Sequence, residues 1–225
     1  VANNRYNNMK VNILVPTTLS EITLNQFVRL VNSEQENAGT TFHMQKTVEI
    51  LCDIDLQSVA TIKYSDVKSI YDHVQEMFNQ KPKFISKFKL DGIEYGFIPQ
   101  LDEITFGEYI DIDDNITSWE TMHRAMAVMF RPITHSKEER YDIEKYDGLA
   151  RADRFKSMPV DVALGANFFL FNLGIELLET TLNFSKEEKA MTLEEKHSLL
   201  KNGAGFRASL DSLKGMLQKS NISLS

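Results

Sequence analysis

One cysteine, Cys52, in 225 residues excludes an intrachain disulfide and sets a reducing compartment as the expectation. It lies in "VEILCDID" among apolar neighbours, the setting of a buried, inert thiol rather than of a nucleophile. Positive charge is also short: 25 Lys and Arg face 32 Asp and Glu, for a net charge of −7 and a pI near 5.3. A phosphate-binding surface normally needs a basic face, so nucleic acid is not an expected partner. No apolar run reaches the roughly 18 residues of a membrane span. The opening "VANNRYNNMK" lacks the apolar segment of a signal peptide, so a soluble, non-exported protein without a membrane partner is expected.

Enzymatic signatures are missing as well. There is no H-E-x-x-H, no G-x-S-x-G and no G-x-x-x-x-G-K. "GAGFRA", residues 203–208, fits a loose G-x-G-x-x-A, but it follows the helix-like "HSLLKN" instead of a strand and reads as a helix break. His43, His73 and His135 stand apart without metal-ligand spacing.

What is present is ordinary globular material: 42% hydrophobic residues with 14 Phe, enough for a real core in one principal domain over residues 1–225. An N-terminal subdomain (1–80) and a C-terminal helical segment (185–225) are possible subdivisions. The pattern predicts a mainly α, α+β protein: a helical, bundle-like body with a small β-hairpin and a short N-terminal strand at residues 10–16. Thr23 with Gln26 forms a capping box ahead of a helix burying Phe27, Leu30 and Val31. Helices are expected at 41–53 and at 66–79, the second capped by Ser65. "FKLDGIEYGFIP" predicts the hairpin, because Asp91-Gly92 suits a type I′ turn. "RYDIEKYDG" adds a short strand or two. Residues 157–184 read as the central helix, with Pro159 in its first turn and Gly165, Ala166 and Gly174 allowing close crossings. Ser185 with Glu188 and Thr192 with Glu195 would cap charged, amphipathic helices at the C-terminus.

Residues 102–132, "DEITFGEYIDIDDNITSWETMHRAMAVMFRP", carry the most candidate chemistry. A calcium loop starting at Asp111 places Asp113 and Asn115 correctly but has Ile116 where glycine is needed and Met122 where a bidentate acid is needed. Thr105 with Glu108 and Thr117 with Glu120 account for the acids better, as two helix starts. Glu120 to His123 and Glu194 to His197 have the E-x-x-H spacing of di-iron bundles, yet both acids sit where helix starts attract them and no further ligands are marked. Met122, Met126 and Met129 should face inward. Arg131, next to Pro132, is expected to form a structural ion pair with a carboxylate such as Asp102 or Asp111, with an interaction surface as the lesser reading.

Several strings together resemble a family of bacteriophage proteins from phages of marine and Bacteroidota hosts, identified as tail assembly chaperones or virion-associated proteins. They are "GFIPQLDEITFGEYIDID", residues 119–133, "YDIEKYDG", "MPVDVALGANFFLFNLG" and "KNGAGFRASLDSLKGML", with an echo in "ITLNQFVRLVN". The resemblance spans residues 93–217. It implies a noncatalytic protein that binds the tape-measure protein in the host cytoplasm and keeps it from aggregating while tail-tube subunits polymerise around it. The alternative is a structural component of the virion. No cofactor, metal or catalytic residue is expected, and the candidate interaction surface comprises Glu108, Tyr109, Asp111, Asp113, Asp114 and Arg131.

Overall fold

The computed structural model describes residues 13–37, 39–138, 140–187 and 215. It is an α+β fold, with seven α-helices and a four-stranded antiparallel sheet among the described residues. Four helices come first: α1 (Leu24–Asn37), α2 (Thr41–Cys52), α3 (Leu56–Ala60) and α4 (Tyr64–Phe78). The hairpin β1 (Lys87–Leu90) and β2 (Ile93–Phe97) leads to α5 (Phe106–Asn115) and α6 (Met122–Met129). Strands β3 (Phe130–Lys137) and β4 (Arg140–Ile143) then extend the sheet in the order β1-β2-β3-β4, and α7 (Val160–Glu187) closes the series.

The α1 capping box forms as the sequence implies. Gln26 Oε1 accepts from Thr23 N at 2.9 Å, while Thr23 Oγ1 accepts from Gln26 N at 3.2 Å. Phe27, Leu30 and Val31 are buried. Asp91 and Gly92 both have positive φ, and Leu90 pairs with Ile93 across the turn, as a type I′ hairpin requires.

A single large cluster of buried side chains draws on α1, α4, the sheet, α6 and α7. Its centre is aromatic: Phe130 packs edge-on against Phe88 and Phe97, and Tyr95 does so against Phe155. Just before α1 and α7 the chain pairs with itself through Leu24 N to Met158 O (2.9 Å) and Val160 N to Ile22 O (2.8 Å). The starts of two helices distant in sequence are thereby fixed together.

Several expectations are corrected. Residues 13–17 form no strand; Ile13 and Val15 instead pack against the small cluster of Val48, Cys52, Val59 and Val67, and residues 10–12 lie outside the described residues. Helix α4 starts before Ser65: Lys63 occupies the cap position, and Ser65 Oγ turns to Asp66 Oδ1 instead. The short α3, capped by Asp55, went unpredicted because five residues are too few for a period. Strand β3 was also missed, since Pro132 argues against a strand and Met129 passes from helix to strand without a loop. Pro132 is tolerated beside a register shift between Ile133 and His135.

Pro159 lies one residue ahead of α7, bridged to Thr23. Helix α7 continues through Ser185, so that residue starts no new helix. The Thr192 to Glu195 box and the Glu194 to His197 pair lie outside the described residues. Gly165 does permit a close approach, but to backbone rather than to a helix: a Cβ there would sit 2.1 Å from Lys83 O.

Candidate functional site

Helix α5 is built inside out. Its N-terminus forms a complete capping box, with Glu108 Oε2 accepting from Thr105 N at 2.7 Å and Thr105 Oγ1 accepting from Glu108 N at 3.3 Å. Glu108 is thereby fixed on the inner side of the helix, where only 4% of it is exposed, and its other carboxylate oxygen meets Arg131 Nη2 at 2.7 Å. Burial by itself would raise the Glu108 carboxyl. Hydrogen bonds from Thr105, with the Arg131 charge added, outweigh that and hold it below the ordinary glutamate range.

One turn on, Asp111 lies on the same inner side and accepts from the Tyr146 hydroxyl. The phenol is pushed up, first by its burial and then by the hydrogen bond to, and charge of, Asp111. Asn115 completes the row: its Nδ2 donates to Asp111 O at 2.8 Å, and its own carbonyl accepts from Thr121 Oγ1 at 2.9 Å. These bonds join α5 to β3, to the segment after β4 and to the start of α6. The inner side of α5 is held chiefly by polar and charged contacts, with Ile112 the apolar exception packed on the core.

The outer side carries Phe106, Tyr109 and Ile110, 79%, 52% and 40% exposed. At i, i+3 and i+4 they form one apolar stripe. Asp113 and Asp114 continue it on the surface, and Asp102 and Glu103 flank it from the preceding turn.

The six residues expected to make one interaction surface therefore divide. Tyr109, Asp113 and Asp114 are exposed; Glu108 and Arg131 are a buried pair; Asp111 is half-buried under Tyr146. Arg131 takes Glu108 rather than Asp102 or Asp111, because the capping box already points that carboxylate inward. Phe106 and Ile110 were missed, since an apolar stripe at helical spacing is normally assigned to the core.

The second expected box does not form. Helix α6 starts at Met122 behind Thr121, and Glu120 accepts from Ser118 instead of capping Thr117. His123 turns Nε2 towards Asp153 Oδ1 at 3.5 Å, away from a ligand set with Glu120. Its imidazole is pushed down by burial and by the neighbouring Lys156 charge. Cys52 is buried and its thiol is pushed up by burial. Among the described residues no group of His, Cys, Asp or Glu is placed to hold a metal ion, and no helix is long and apolar enough to cross a membrane.

The cavity behind the network, lined by Arg131, Tyr146, Arg151 and Arg154, has a volume of about 30 Å³. That is room for water rather than for a substrate, whose pockets run to roughly 300 Å³ or more. Comparison of the chain with protein-family models, with curated proteins and with solved structures finds no match.

Proposed function

We propose that this chain is a noncatalytic phage assembly protein, a tail assembly chaperone that binds the tape-measure protein. The observation that carries the reading is the Phe106, Tyr109 and Ile110 stripe, displayed outward on a helix anchored from behind. A contiguous exposed apolar stripe rimmed by charge is the usual mark of a protein-binding surface. Recognition of an amphipathic helix through apolar anchors at i, i+3 and i+4 supplies the mechanism. Acidic residues around the stripe favour a partner helix flanked by Lys and Arg. The resemblance of residues 93–217 to phage assembly proteins supplies the partner's identity.

Co-expression with the phage tape-measure protein tests this. The native chain should keep that protein soluble and elute with it as one complex. Phe106→Asp with Ile110→Asp should abolish the complex, each anchor contributing on the order of 2 kcal/mol. A tape-measure protein whose solubility ignores the chain would overturn the chaperone reading. Stoichiometric recovery of the chain from purified virions would favour a structural role instead.

A further inference from the structure

We propose that the free edge of β4 is a dimerisation surface, on which Arg140, Tyr141 and Asp142 pair antiparallel with the same three residues of a second copy about a two-fold axis at Tyr141. Two four-stranded sheets then join edge to edge through an isologous contact.

Backbone geometry is the first argument. Among the described residues β1 and β4 are the two edges of the sheet. Lys137 pairs with Arg140 with two residues between them, the spacing of a tight hairpin whose closing pair is hydrogen-bonded. Ser136 and Tyr141, the next pair, are therefore of the other kind, and Tyr141 turns its N–H and C=O away from β3. The register shift falls between Ile133 and His135, beyond these pairs, and leaves them undisturbed. A two-fold axis at one residue requires this arrangement, because each Tyr141 then donates to and accepts from the other.

The edge is also held ready. The Tyr141 ring lies on Gly96, where a Cβ would come within 2.3 Å of the tyrosine Cε2, and its hydroxyl donates to Phe97 O at 2.8 Å. Lys87 Nζ stands 4.6 Å from the ring centroid. Arg140, Tyr141 and Asp142 border a cleft of about 660 Å³ that Phe84, Pro99, Leu101 and Phe169 also line, which leaves room for an incoming strand. Phe84, 40% exposed, offers that strand apolar contact.

Charge selects the occupant. Arg140 and Asp142 are exposed, share one face of β4 by alternation, and among the described residues enter no ion pair. In the two-fold arrangement each Arg140 stands opposite Asp142 of the second copy, giving two pairs of opposite charge. The ladder stops there, since Glu138, with φ 57°, lies in the turn. Strand β1 has the reverse character. Pairing it with itself about Phe88 would set Lys87 against Lys89 of the second copy, and lysines on an edge guard against strand addition. One edge repels its own copy, and the other fits it.

Sedimentation velocity of the full chain across a dilution series reads this, and a monomer–dimer equilibrium is expected. Asp142→Arg sets Arg against Arg twice, and Arg140→Asp sets Asp against Asp twice. Each variant alone should dimerise at least roughly tenfold more weakly. Mixed, the two should form a heterodimer of native affinity, which also shows that both are folded. The doubly exchanged chain, Arg140→Asp with Asp142→Arg, should dimerise like the native one. Hydrogen exchange at the Tyr141 amide should slow as the native dimer forms.

A native chain that stays monomeric at every concentration, a dimer indifferent to either single reversal, or a mixture of the two variants that does not associate would each overturn the proposal. So would a Tyr141 amide that exchanges equally fast in monomer and dimer. None of these readouts involves α5 or its partner.

Discussion

Helices α5 and α6 are neighbours in sequence and pack against each other, yet they are held in opposite ways. Helix α6 buries Met122, Ala125, Met126, Val128 and Met129 completely, with Arg124 the residue left exposed. Helix α5 buries Glu108 and Asn115 and leaves Phe106, Tyr109 and Ile110 outside. Hydrophobic burial anchors the first, and a directed polar network anchors the second. A helix fixed from behind by ion pair, cap and hydrogen bonds can spend its apolar side on a partner.

The largest test of that contrast is Arg131→Ala, which leaves the Glu108 carboxylate buried without its cation. A loss of about 3–5 kcal/mol in unfolding free energy at neutral pH is expected. The loss should shrink on acidification. Because the folded-state Glu108 carboxyl is depressed, its contribution is present above the unfolded value and disappears as pH falls through the folded one. Denaturant unfolding of both proteins from pH 7 down to pH 3 measures this, and a gap that stays constant would contradict it.

Met126→Ala should come next, at about 2–5 kcal/mol, through lost burial and the cavity left behind. Its loss should be the same at pH 7 and at pH 4, since no titrating group is involved. Unequal losses would show that α6 is not held by packing alone.

Thr105→Ala should cost about 1 kcal/mol by removing the helix cap and loosening Glu108. Hydrogen exchange at the first turn of α5 should rise with it, while α6 stays protected. Smallest of all, Phe106→Ser should change stability by no more than about 0.5 kcal/mol, a surface substitution by the criterion of its exposure. The same change should remove partner binding. A large destabilisation would mean that the Phe106 ring serves the fold and not a partner.

Local signals transferred faithfully from sequence to structure. The Thr23 and Thr105 boxes, the Asp91-Gly92 turn and the inward methionines of α6 depend on residues within one or two turns of each other, so spacing is enough to read them. Signals that compete failed: Thr117 with Glu120 has the same letters as Thr105 with Glu108, but Ser118 takes Glu120 and Thr121 bonds Asn115. Strand β3 was hidden because Pro132 argues against a strand and because the β2 residue that pairs with it, Tyr95, lies far outside any local window.

The sequence by itself determined that this protein has a core, where most of its helices run, and that residues 101–121 are acidic and helix-forming. Tertiary structure decided which side of α5 is the inside. Glu108, 23 residues from Arg131 in the chain, and Asp111, 35 from Tyr146, find their partners only when the fold brings α5 within reach of Arg131 and Tyr146. Periodicity records which residues share a face. The direction of that face is set by what stands opposite, and here a guanidinium and a phenol turned the polar side in and the apolar side out.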